Sequence, residues 1–345
     1  IENNKATQII FDVKGLKIEK ITLGREGEET TYTLTKSQEF LGSALIVDIK
    51  STTSIVTIFY ETTPEGDAAL DWTKPQQTAG KKHPALFTQG QAILTRTWIP
   101  CQDSPGIRIT YNATIKVPTN LLAVMSASNP TEKNEIGIYN FEMRQPIPPY
   151  LIALAIGDLE YGEIGARTAI YAEPSMLKAS VDEFADMEKM LIAAEDLYGK
   201  YLWDRYDVIV LPPSFPFGGM ENPRLTFATP TIIAGDKSLT SLIAHELAHS
   251  WSGNLATNAT WDDFWLNEGF TVYFERRIAE ELFGKDYADM LALLGHQDLL
   301  NTLEDLPVED TRLKLNLEGR NPDDGMSDVA YEKGYFMLRM IEESI

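Results

Sequence analysis

His245, Glu246, Leu247, Ala248 and His249 are consecutive, and they include two of the four histidines in this 345-residue chain. On a helix, residues four apart differ by about 40° around the axis, so both rings leave one face and can converge on one cation. Zinc suits such a pair, but a catalytic zinc site takes three protein ligands and keeps one position open. The candidate third ligand is Glu268, in Asn267-Glu268-Gly269, 19 residues after His249. Its segment, 261–274, has apolar residues all round the helix, and a carboxylate buried there is costly unless it is paired or metal-bound. Glu246 sits between the two histidines, close to the open position, where a carboxylate can act as general base. The chemistry implied is metal-assisted hydrolysis of an acyl bond. Packed histidines in an apolar helix are the plainer alternative. Glu275 lies seven residues after Glu268 on the same face. It is either an acceptor behind a ligand histidine or a partner of Arg276 or Arg277.

Two kinds of element must position these groups. Up to about residue 173 the chain reads as short β runs, at 7–13, 16–23, 44–60, 91–99, 106–117, 121–127, 135–143, 150–156 and 167–172. Alternation at Ile107, Ile109, Tyr111, Ala113, Ile115 and Val117 puts all six on one strand face, as in an antiparallel sheet with one buried side. Beyond this point the period changes to 3.6. A long helix is expected at 175–198, ending at Gly199, then strands at 206–211 and 225–233 around a loop at 212–223. Helices follow at 238–252, 261–283, 286–303 and 331–345, with a turn-rich connection at 304–329. Thr260 and Asp263 are spaced as a capping pair for the helix that carries Glu268. The expectation is an all-β module followed by an α+β one.

The formal charge is −21, and it is unevenly distributed: residues 1–172 hold 19 acids and 16 bases, residues 173–345 hold 32 and 14. This sign excludes nucleic acid and anionic membrane as partners, which need a basic footprint. The single cysteine, Cys101, permits neither an internal disulfide nor a cysteine-built metal site. The longest apolar stretch, near 151–156, is far short of the roughly 20 residues that cross a bilayer, and no signal peptide is visible. The chain starts without Met and stops inside a helical pattern, as expected of a trimmed fragment.

Four separated motifs occur in a telling order. They are Pro100-Cys101-Gln102-Asp103, Gly218-Gly219-Met220-Glu221-Asn222, the His245 to His249 run with Glu268 after an 18-residue gap, and Tyr331-Glu332-Lys333-Gly334. Together with 212–217, 226–241 and 261–273 they resemble the M1 zinc aminopeptidases, a gluzincin family, over nearly the whole chain. The nearest likeness is to the branch that also hydrolyses lipid epoxides and to its bacterial aminopeptidase relatives.

The resemblance implies an N-terminal β domain, residues 1–165, incomplete at its start, and a thermolysin-like catalytic domain, residues 166–345. The family's C-terminal helical domain is expected to be absent. It further implies one zinc ion per chain on His245, His249 and Glu268, with Glu246 as base and Tyr331 stabilising the oxyanion. Glu221 would bind the substrate's free ammonium, with Gly218, Gly219, Met220 and Gln102 lining the same pocket. The partners would be peptides with a free N-terminus, in peptide catabolism. A cytoplasmic location is expected, with periplasm or secretion left open. Where the epoxide-hydrolysing branch has a second tyrosine, five residues before the catalytic one, this chain has Met326, so the bifunctional reading is the alternative. Another is a truncated, non-catalytic peptide-binding zinc module. First-residue preference and oligomeric state are not legible.

Overall fold

The computed structural model describes residues 5–345 apart from Glu65 and Asp67. In the first module every strand pairing is antiparallel. One three-stranded sheet runs Gln8–Val13, Ser43–Asp48, Tyr32–Leu34, and another Glu28–Glu29, Leu16–Leu23, Val56–Thr62. These two close over a small apolar core that includes Val13, Ile21, Leu45 and Val47. A four-stranded sheet, Leu122–Met125, Leu154–Gly157, Ala85–Thr88, Leu70–Thr73, and the ribbon of Ile109–Lys116 with Ile138–Ile147 pack on the larger core instead. That core continues through the second module, so the β layers and the helices share one apolar interior.

The second module is built on a five-stranded mixed sheet ordered Glu160–Glu163, Thr168–Ala172, Tyr206–Val210, Leu225–Ala228, Gly219–Met220. The three middle strands are parallel and wholly buried, and both edge pairings are antiparallel. Its first strand starts a few residues ahead of position 166. The module also has six helices: α1 (Pro174–Glu183), α2 (Met187–Tyr198), α3 (Ser241–Ala248), α4 (Phe264–Phe283), α5 (Lys285–Asp305) and α6 (Gly334–Glu343). A π-helical turn, Val329–Lys333, leads into α6. No helix among the described residues is long and apolar enough to cross a membrane.

Several expected elements come out differently. The 175–198 helix is two helices, because buried Glu183 accepts the backbone N–H groups of Gly235 and Lys237 at 2.8 Å each and the chain turns there. Residues 91–99 do not form a strand. They turn through a short 3-10 segment, Thr95–Thr97, and the strand is Ala85–Thr88. The 44–60 run is two strands separated by a turn. The Thr260 side chain caps nothing: a 3-10 turn, Trp261–Asp263, precedes α4, and Asp263 is taken up by Lys314 Nζ at 3.1 Å.

Candidate active site

α3 is short and ends at the site. Its last turn presents His245 and Glu246, and His249 is the first residue beyond it. The chain reverses immediately afterwards at Gly253, whose φ of +109° suits glycine. A Cβ at Gly253 would stand 2.4 Å from Asn267 Oδ1 and 2.9 Å from His249 Nδ1, so only a hydrogen fits under the imidazole. Ser252 Oγ then donates to the carbonyls of Leu266 and Asn267, tying this turn to the start of α4 and setting Glu268 opposite the two rings.

The three side chains meet at their tips. His245 Nε2 and His249 Nε2 are 3.2 Å apart, and Glu268 Oε2 lies 3.3 Å from the first and 3.4 Å from the second. Tetrahedral bonds of about 2.0–2.2 Å separate neighbouring donors by about 3.3–3.6 Å, so the set fits a small divalent ion. The far sides of both rings are engaged. His245 Nδ1 faces Glu275 Oε2 at 3.1 Å, and His249 Nδ1 faces the Ser252 carbonyl at 3.0 Å. A proton on each Nδ1, donated outward, leaves both Nε2 lone pairs turned toward Glu268. Glu275 thus faces His245, whereas Arg276 pairs with Glu332 and Arg277 with Glu280 and Glu342.

The electrostatics ask for a cation. Burial lowers the proton affinity of both histidines, yet Glu268, Glu275, Glu246 and Glu221 outweigh it and hold both pKa values above the usual imidazole range. Glu246 shows the reverse balance: burial pushes its carboxyl up to about 8 against the opposing pull of His245 and His249. Its Oε2 is buried with no hydrogen-bond partner, as is Glu221 Oε1. A Cβ at Gly219 would come within 2.3 Å of Glu246 Oε1, so that glycine is what admits the carboxylate.

Glu221 follows the edge strand Gly219–Met220, which pairs with Phe227 and Ala228, and Asn254 Nδ2 donates to the Glu221 carbonyl at 2.8 Å. Its carboxylate, with those of Glu246 and a nitrogen of His249, forms a second cluster whose donor atoms lie within 4.8 Å of one another. Tyr331, in the π-helical turn, stacks near His245 with ring centroids 6.1 Å apart. Burial and then the charges of Glu268, Glu221 and Glu246 push its phenol well above the ordinary value, so it keeps its proton as a donor. All these groups line one cavity of about 720 Å³, to which Gly218, Gly219 and Met326 also contribute.

Two expected pocket residues lie elsewhere. Gln102 is exposed and does not line the cavity, because its motif has a structural job. Cys101 pairs its backbone with Asp12, and buried Asp103 accepts from Arg96 Nε at 3.1 Å and from the Arg96 backbone at 3.0 Å. The glutamine that does face the cavity is Gln91, whose Nε2 is buried without a partner. The Met220 side chain is packed in the core, its sulfur accepting from Gln89 Nε2, and is not part of the cavity wall. Thr302, Ser327 and Asp328 are further wall residues that no sequence motif marks, two of them in the turn-rich connection at 304–329.

A helix bearing two histidines and a carboxylate, completed by a glutamate from the next helix and backed by a mixed sheet, defines a domain of the HExxH metallopeptidase class. The chain belongs to peptidase family M1: the Peptidase family M1 domain matches residues 183–345 and the Peptidase M1 N-terminal domain residues 1–151. It is 46% identical to leukotriene A-4 hydrolase of Xenopus laevis over 347 residues, covering 97% of this chain and 56% of that protein. It is 50% identical to human aminopeptidase B over 271 residues, 76% of this chain and 41% of that one. Among solved structures, yeast LTA4 hydrolase in complex with bestatin superposes with a TM-score of 0.90 at 39% identity, covering 99% of this chain and 54% of that one. The chain thus spans about half the length of the curated relatives it matches.

Proposed function

We propose that the protein is a zinc-dependent aminopeptidase that removes residues from the free N-terminus of peptides. The observation that carries this reading is the coincidence, in one cavity, of a tetrahedrally spaced donor set with two buried carboxylates, Glu246 and Glu221, that each hold one oxygen without a partner. Zinc held by His245, His249 and Glu268 would supply Lewis acidity at the scissile carbonyl. Glu246 takes the proton from the attacking water at its free Oε2 and passes it to the departing amine. Tyr331, protonated, donates to the carbonyl oxygen as charge develops on it. Glu221 pairs with the substrate ammonium, which would otherwise be stranded in a buried site, and Gln91 accepts from the same ammonium through its amide oxygen. In this reading residues 1–165 contribute Gln91 to the cavity and residues 166–345 contribute the rest. Lipid-epoxide hydrolysis finds no support at Met326, which gives the wall a thioether where a phenol would be needed.

The test is metal analysis combined with a panel of aminoacyl arylamides and their N-acetylated counterparts. One zinc per chain and turnover restricted to free-amine substrates are expected, with inhibition by bestatin. Equal turnover of the acetylated set would refute the assignment of Glu221, and activity persisting after zinc is stripped would refute the whole reading.

A further inference from the structure

We propose that Arg276 and Glu332 are positioning residues that aim the Tyr331 phenol, an inference that rests on the oxyanion role given to Tyr331 above. Tyr331 and Glu332 are neighbours in the π-helical turn but face different surroundings. The tyrosine lines the cavity, while the glutamate carboxylate turns away toward α5. There Gly295 makes room for it: a Cβ at that position would stand 2.2 Å from the carboxylate carbon. Arg276 Nη2 donates to Glu332 Oε1 at 2.6 Å, and the guanidinium lies 4.0 Å over the ring of Tyr335.

Stability alone does not account for this pair. Its side chains are only 7% and 12% exposed, and Arg276 Nε and Nη1 are buried with no partner. Desolvating such an ion pair commonly costs as much as its attraction returns, so an apolar pair would hold the helices together as well. What a flat, stacked guanidinium adds is direction: its plane over Tyr335 sets where Nη2 points, and that one short hydrogen bond, with the close fit against Gly295, fixes where the carboxylate lies.

The frame for that direction is α4. The same helix carries Glu268, Glu275 and Arg276, so whatever Arg276 holds is held relative to the ligand set. A second tie reinforces the first. The backbones of Gly269 and Gly334 are so close that a Cβ on Gly269 would lie 2.8 Å from Gly334 Cα, and one on Gly334 2.7 Å from Gly269 Cα. Both ties fall within three residues after Tyr331. The π-helical turn inserts an extra residue into the helical path and turns the phenol toward His245, and the ties hold that turn in place.

The experiment is a double-mutant cycle of Glu332→Gln with Tyr331→Phe on the zinc-loaded chain. It is read as kcat and KM on an aminoacyl arylamide, with thermal melting of each variant. Glu332→Gln is expected to lower kcat roughly tenfold to a hundredfold, the scale of an ångström-sized misplacement, with KM changed by less than about twofold. In the Tyr331→Phe chain the same substitution should change kcat by less than about twofold, since there is no hydroxyl left to misplace. Should Glu332→Gln not fold, Arg276→Lys, which keeps the charge and loses the planar group stacked on Tyr335, goes through the same cycle. An equal loss in both backgrounds, or no loss in the parent, overturns the inference alone. Undiminished kcat in Tyr331→Phe overturns the oxyanion reading and the inference with it.

Discussion

Glu275 Oε2 lies 3.1 Å from His245 Nδ1 while the other nitrogen of that ring faces Glu268 Oε2 at 3.3 Å. One imidazole is thus held between two glutamates seven residues apart on the same helix. Removing the outer one, in Glu275→Ala, should weaken zinc binding roughly tenfold to a hundredfold, because the ring loses the group that fixes its tautomer and orientation. Competition against a zinc chelator measures this, and an affinity within about twofold of the parent would show that Glu275 does no such work.

Glu246→Gln keeps the shape that Gly219 accommodates but gives up the basic oxygen. The variant should still bind one zinc per chain and lose kcat by about two to four orders of magnitude. Retained turnover at full metal occupancy is the outcome that would sink the mechanism.

The two glutamines make a paired control. Gln91→Ala should raise KM for free-amine substrates roughly tenfold to a hundredfold, about 1.5–3 kcal/mol for a lost hydrogen bond to a charged group. Gln102→Ala, at an exposed position, should leave both kinetic constants within about twofold of the parent. The reverse pattern would restore the role that the sequence motif suggested for Gln102.

An acid-side stability loss follows from Glu195. Arg167 donates to both its oxygens, at 2.9 and 2.7 Å, and Tyr201 N donates at 2.9 Å. The Arg167 hydrogen bonds hold this carboxyl below the usual range. A carboxylate depressed on folding stabilises the protein above its unfolded pKa, about 4.3, and that contribution disappears as pH falls through the folded value. Glu195→Gln should therefore cost roughly 1 kcal/mol at pH 7 for a partly exposed pair. The gap between parent and variant melting temperatures should narrow below about pH 4.3. A gap independent of pH would mean that the pair contributes through packing instead.

Local spacing carried the candidate ligand set. His245 and His249 converge because four residues make just over one helical turn, and Glu268 stood out as a carboxylate on a helix with no polar face. Gln91 was hidden because Gln91 to Ile99 reads as a β run, and only the surrounding strands and Asp103 force that stretch to turn. Conversely, Gln102 sits in a conspicuous motif whose purpose is to pair Asp103 with Arg96 and Cys101 with Asp12. The break between α1 and α2 was equally invisible, since Glu183 finds its two backbone donors some fifty residues later in the chain. The π-helical turn at Tyr331 differs from a regular helix by a single residue, and hydrophobic period does not register that.

The closeness of Glu221 to the candidate zinc ligands has a metric consequence. With its carboxylate in a cluster whose donors lie within 4.8 Å of one another, His249 among them, an ammonium held by Glu221 leaves the carbonyl of its own residue beside the reacting centre. The next carbonyl is farther by about 3.3–3.6 Å, the length of one extended residue. On the proposed aminopeptidase reading, the cavity would act as a ruler one residue long, anchored to the sheet edge through Gly219 and Met220. Peptides whose first residue carries an extra backbone carbon should bind but be cut slowly, since their amine and carbonyl no longer match the ruler.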